Sequence, residues 1–134
     1  MTSTLSGCVL VALSVVASTA GAAMSDAAFE AHFLEAQANR GTAEGTAFDG
    51  VLAQTFDTLL VRASIDACLR DNPGKQAVHG YFDFVAPQAY QLELRPAGPF
   101  AACMERALEN RHLPEPPRLP YRNEFRFTHD PDNA

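Results

Sequence analysis

The chain has 134 residues, 16 acids against 10 bases for a net charge of −6, and 47% hydrophobic residues that include nine Phe and three Tyr. That length holds one domain with a short leader or tail, and the apolar fraction suffices for a packed core. The acidic balance excludes a sequence-independent nucleic-acid binder, which needs a clustered basic surface to displace phosphate counterions.

No Lys, Arg, Asp or Glu precedes Asp26. The run from Val9 to Ala17 has the length of a signal-peptide h-region and is too short to cross a bilayer as a helix. Ala20-Gly21-Ala22 forms an A-x-A site and Ser18-Thr19-Ala20 a weaker one, so residues 1–22 read as a signal peptide. Met1-Thr2-Ser3-Thr4 lacks the usual basic residues, and the alternative is a buried apolar N-terminal helix. Leu5-Ser6-Gly7-Cys8 has the form of a lipobox, which would make Cys8 a lipidated membrane tether; the apolar run follows Cys8 rather than preceding it, which opposes that reading. The expected location is periplasmic or secreted, with a membrane-anchored lipoprotein as the alternative. Removal of the leader also removes Cys8 and leaves the even pair Cys68 and Cys103. A disulfide between them closes a loop of about 36 residues and stabilises the fold by roughly 3–4 kcal/mol; two buried free thiols in a cytosolic protein are the competing reading.

After the leader, residues 23–47 read as a helix and a flexible linker. Phe29, Phe33, Leu34 and Gln37 share one face of a helix from Asp26 to Arg40, and Gly41-Thr42-Ala43-Glu44-Gly45-Thr46 reads as a joint. A domain over 48–128 follows, with a polar tail at 129–134. From Phe48 to Arg70, Phe48, Leu52, Thr55 or Phe56, Leu59, Ala63 and Ala67 recur at helical spacing, and Asp71-Asn72-Pro73-Gly74 ends the helix. The period then changes to two. Val78, Gly80, Phe82 and Phe84 alternate with His79, Tyr81 and Asp83, and after Pro87-Gln88, Tyr90, Leu92 and Leu94 alternate with Gln91, Glu93 and Arg95. Two such runs with a very short link predict an antiparallel hairpin with one wet face.

Pro99 opens a second helix with Phe100, Cys103, Met104, Ala107 and Leu108 on its apolar stripe. Leu113-Pro114-Glu115-Pro116-Pro117 is an extended crossing, and Tyr121, Asn123, Phe125 and Phe127 alternate with Arg122, Glu124 and Arg126 in a third strand. The expected fold is α+β in the order α-β-β-α-β, a three-stranded antiparallel sheet with two helices packed on its apolar face. Strands two and three are expected to be neighbours, and Cys68 and Cys103 to lie on the two adjacent helices.

The succession Ile65-Asp66-Ala67-Cys68, Gly80-Tyr81-Phe82-Asp83-Phe84, Phe100-Ala101-Ala102-Cys103-Met104, Leu108 and Leu113-Pro114-Glu115-Pro116-Pro117, closed by an aromatic strand, resembles the AgmX/PglI C-terminal domain family over about residues 51–128. That family belongs to a wider group similar to the C-terminal domain of TonB. The resemblance implies a TonB C-terminal-like fold and a periplasmic interaction domain, not an enzyme.

No catalytic constellation stands out. His79, Tyr81 and Asp83 project from one strand face at period two, which suits a solvated sheet surface paired with Glu93 and Arg95, or else a small-ligand or metal site built on His79 and Asp83. His32, His112 and His129 are isolated, and Ser64 lies in mid-helix away from any nucleophile elbow. No cofactor or metal is expected. The preferred functional surface is the last strand, Tyr121, Arg122, Asn123, Glu124, Phe125, Arg126 and Phe127, as an edge that pairs with an extended segment of an envelope protein partner. Arg118, Arg122 and Arg126 then either select an acidic partner or guard the edge from aggregation. The alternatives are a small exported ligand- or metal-binding protein and a lipid-anchored structural protein of the envelope.

Overall fold

The computed structural model describes residues 24–133, so the predicted signal peptide and Cys8 lie outside the described residues. In chain order the elements are α1 (Asp26–Arg40), α2 (Ala43–Phe56), α3 (Leu59–Asp71), β1 (Gln76–Ala86), β2 (Ala89–Arg95), α4 (Pro99–Leu108) and β3 (Tyr121–His129), with a 3-10 turn at Pro131–Asn133. The fold is α+β with one three-stranded antiparallel sheet, and the stretch from α3 to β3 has the expected α-β-β-α-β order.

The first three helices each start on a hydroxyl cap. Ser25 accepts from the amide of Ala28, Thr42 from Gly45 and Thr58 from Val61, each satisfying an amide that the first helical turn leaves without a partner. Two of these caps correct the sequence reading. The single helix expected from Phe48 to Arg70 is two helices, because Thr58 starts a new one after the amide of Asp57 closes α2 on Ala53 and Gln54. The joint expected at Gly41–Thr46 is a tight corner, with α2 already under way at Ala43. Gly45 permits that corner, since a Cβ there would sit 1.8 Å from the carbonyl oxygen of Asn39.

The sheet order is β2-β1-β3. Strand β3 pairs with β1 along its length, from Gln76 opposite His129 to Phe84 opposite Tyr121, and is not the neighbour of β2 that the sequence reading expected. The outer side of β2 is already taken by α4: the buried amide of Leu94 donates to the Glu105 carboxylate at 3.1 Å, and Tyr90 Oη donates to the carbonyl of Leu108 at 2.8 Å. The chain therefore crosses through Leu113–Pro120 to the far edge. Pro87-Gln88 makes the hairpin turn with Gln88 at a φ of 61°, and the Gln88 side-chain amide pairs with both the amide and the carbonyl of Leu113, fixing the crossing.

On one sheet face Val78, Phe82, Phe84, Leu92 and Leu94 pack against Val61 and Cys68 of α3 and Phe100, Met104 and Leu108 of α4. Cys68 and Cys103 are joined by a disulfide between α3 and α4, with a Cα–Cα distance of 5.7 Å. The opposite face, expected to be wet, is covered by α1. Phe29, Phe33 and Ala36 are buried there against Tyr81, which is 0% exposed. An apolar stripe on a helix must find a partner surface, and the Tyr81 ring, 5.4 Å from that of Phe29, supplies it. The charged residues of this face form a margin around α1, with the Arg95 guanidinium 4.6 Å from the Phe29 ring and that of Arg126 5.2 Å from the Phe33 ring.

Candidate functional site: the β3 edge and the adjoining cleft

Which backbone groups of β3 point outward follows from two independent hydrogen bonds. Asn39 Nδ2 donates to the carbonyl of Arg122 from outside the sheet at 2.9 Å. At the other edge Leu94 donates outward to Glu105, so Gly80, which lies opposite both Leu94 and Phe125, directs its own amide and carbonyl to β3. Both observations put the outward-facing groups at Arg122, Glu124, Arg126 and Thr128. Phe125 and Phe127 turn theirs inward to β1.

The predicted edge strand is thus divided. At its beginning Asn39 closes the Arg122 carbonyl, and Asn123 Nδ2 donates to the Glu124 carbonyl at 3.1 Å and to Asp49 of α2 at 3.0 Å. Tyr121, Asn123 and Glu124 are buried. Beyond that point Arg126 and Thr128 are exposed, and their outward amides and carbonyls have no backbone partner among the described residues.

The open part of the strand borders a cleft of about 670 Å³ between α2, α3 and β3. Its floor is Leu52, Phe56, Ile65, Phe82 and Phe125. Phe56 stacks on Phe82 with ring centroids 5.3 Å apart, and Phe125 meets Phe82 edge-on at 5.6 Å. Charges rim the opening in pairs: Arg40 with Asp49 at 3.4 Å and with Glu124 at 3.4 Å, Arg126 with Glu124, and Arg62 with Asp57. Burial opposes ionisation of Glu124, but hydrogen bonds and charge from Arg126 and Arg40 outweigh it and hold the carboxyl below its usual range.

The three arginines expected to read an acidic partner are each engaged within the chain. Arg122 pairs with Glu35 at 2.5 Å and Asp83 at 3.5 Å, Arg126 with Glu124, and Arg118 with Asn39 Oδ1 at 2.6 Å and Glu44 at 3.8 Å. Arg122 ties β3 to α1 through Glu35, Arg118 ties the segment before β3 to α1 and α2, and Arg126 is paired within β3 itself.

His79, Tyr81 and Asp83 lie on the same face as expected, but that face is not solvated. The His79 ring packs 4.9 Å from Phe33 and 5.8 Å from Phe29, and Asp83 pairs with Arg122. Tyr81 Oη hydrogen-bonds His32 Nδ1 at 3.1 Å and donates to Met24 Sδ at 3.1 Å. Burial first, then the charges of Glu93 and Asp83, push the Tyr81 phenol up to about 12. Among the described residues no three His, Cys, Asp or Glu side chains gather as a metal site, and no helix is long and apolar enough to cross a membrane.

Sequence reasoning missed Asn39, Asp49, Leu52, Phe56 and Ile65 as parts of the site. Asn39 carried a signal: it falls on the Phe29-Phe33-Ala36 face of α1, where a polar residue on a buried stripe needs a hydrogen-bonding partner. The cleft residues carried none, because it is the break at Asp57-Thr58 that angles α2 from α3. Comparison of the chain with family models, with curated proteins and with solved structures gives no match.

Proposed function

We propose that this chain is an exported, non-catalytic protein–protein interaction domain of the cell envelope, which takes an extended segment of its partner along the open part of β3. The observation that carries this reading is the division of the β3 edge, whose outward carbonyls at Arg122 and Glu124 are capped by side chains while the outward groups at Arg126 and Thr128 stand exposed and unclaimed. Edges of sheets are normally blunted or covered because they invite pairing; here the protection stops midway along the strand. A partner strand added there gains main-chain hydrogen bonds, as in β-augmentation. The Cys68–Cys103 bond fits an oxidising compartment. The resemblance to the AgmX/PglI C-terminal domain supports a periplasmic setting.

Position 126 offers a clean test because its amide points away from β1. Arg126→Pro removes an outward donor while leaving the β1–β3 ladder bonded. Tagged protein is used to capture partners from an envelope extract, with Arg126→Ala as the control for the side chain. The captured species should persist with Arg126→Ala and disappear with Arg126→Pro, both variants melting cooperatively. Equal capture by both variants would overturn strand addition at this edge.

A further inference from the structure

We infer that the cleft beside β3 is an anchor pocket for one bulky apolar side chain of the added segment, an inference that rests on the reading of β3 as the docking edge. A strand paired with β3 lies about 4.8 Å away, and its side chains alternate between the two sheet faces. The partner residue opposite Phe125 projects to the same face as Phe125 and Phe82, which is the floor of the cleft. The backbone that the partner must pair with and the cavity that receives its side chain are therefore two sides of one surface.

The chemistry of the cleft selects an apolar anchor. Its floor is aromatic and aliphatic, and its volume of about 670 Å³ lies within the roughly 300–1,000 Å³ usual for recognition pockets. The rim offers no unbalanced charge to an ionic anchor, since Arg40, Arg62 and Arg126 are each paired with Asp49, Asp57 or Glu124. Asp57 and Arg62 both line the opening, and the chain between them carries Leu59 and Leu60, which are 84% and 74% exposed. Large apolar side chains held this far into water, in a segment flanked by two residues of the cleft, mark a surface that a partner covers. The matching ligand is an extended peptide with one large aliphatic or aromatic residue set between smaller or polar neighbours.

The probe is a phage-displayed library of random peptides, panned against the disulfide-intact protein. Enriched sequences are made as synthetic peptides and titrated by fluorescence anisotropy into wild type, Arg126→Pro and Ala53→Phe. Ala53 lines the cleft and is exposed on α2, so a Phe there fills the pocket without touching the strand edge. The expected result is convergence on one bulky apolar residue whose change to Ala weakens binding roughly tenfold or more, as anchors do. Ala53→Phe should weaken binding similarly, and Arg126→Pro should abolish it. Peptides that need an intact edge but lack an apolar anchor, or that ignore Ala53→Phe, overturn the anchor pocket and leave edge addition standing. Peptides indifferent to Arg126→Pro, or no enrichment at all, overturn both.

Discussion

Asn39, near the end of α1, donates its side-chain amide to the main-chain carbonyl of Arg122 in β3 at 2.9 Å, in the place where a fourth strand would bond. Its other amide atom, Oδ1, accepts from Arg118 at 2.6 Å, so a single side chain joins the helix, the strand edge and the segment leading into the strand. At the opposite edge of the sheet the Glu105 carboxylate of α4 accepts from the main-chain amide of Leu94. Helix side chains thus cap one backbone group at each edge, and the exposed part of the β3 edge lies at Arg126 and Thr128.

Asn39→Ala should destabilise the protein by roughly 1–3 kcal/mol, the usual cost of orphaning a buried polar group. Urea unfolding should show a lower midpoint with the slope unchanged. The variant should also self-associate at high concentration in light scattering, because more of the β3 edge is uncovered.

Two glycines of α2 should respond in opposite directions. A Cβ at Gly45 would meet the Asn39 carbonyl oxygen at 1.8 Å and its carbon at 2.6 Å, and backbone cannot move aside without separating α1 from α2. Gly45→Ala should cost about 1–3 kcal/mol or more. Gly50 has open space around its Cβ position in the same helix, so Gly50→Ala should stabilise by about 0.5–1 kcal/mol. Thermal melts of the two variants side by side test the difference.

Reduction of the Cys68–Cys103 bond should lower stability by roughly 3–4 kcal/mol. The bond closes a sequence separation of 35 residues that contains the whole β1–β2 hairpin. Guanidinium unfolding with and without reductant measures the loss, and Cys103→Ala should match the reduced form and be insensitive to reductant.

Burial raises the Glu105 carboxyl above its ordinary value, although its bond from the Leu94 amide pulls the other way. A carboxyl whose folded value lies above its unfolded value contributes stability that is complete below the unfolded value of 4.5 and lost as pH rises through the folded value. Glu105→Gln keeps an acceptor for Leu94 and removes the charge. It should therefore be more stable than wild type at neutral pH, with the gap closing as pH falls below 4.5. Glu105→Ala should instead lose about 1–3 kcal/mol by leaving that amide unbonded.

Tyr81 contributes on the alkaline side, as do Tyr90 and Tyr121, whose phenols burial also raises. The Tyr81 phenol is raised from 10.0 to about 12, so its contribution to stability is complete below pH 10 and is lost as pH rises toward 12. Absorbance titration of tyrosinate should show Tyr81 ionising late in the native protein and at the ordinary value in denaturant. Tyr81→Phe should remove one of the three late-ionising phenols and so reduce the amplitude of that step.

The local choices were legible in the residues. The period-two runs around Phe82 and Leu92, the Pro99 helix start and the spacing of Phe100, Met104 and Leu108 each carry their own structural period, which holds whatever they pack against. The pairing of Cys68 with Cys103 followed from counting once the leader was set aside. Other features depended on distant parts of the chain. Alternation shows that His79, Tyr81 and Asp83 share a face, but whether water or α1 covers it is decided by Phe29 and Phe33, which lie far earlier in the sequence. Alternation likewise marks Tyr121–Phe127 as a strand without naming its neighbour, because it is α4, packed beside β2 and taking the Leu94 amide through Glu105, that leaves β1 as the available partner. The sequence by itself determined that Tyr121–Phe127 is a strand with one aromatic and one charged side. Only the tertiary structure decided which of its backbone groups are closed and which stand open beside a cleft, since hydrogen-bond satisfaction at an edge depends on side chains brought there from other elements.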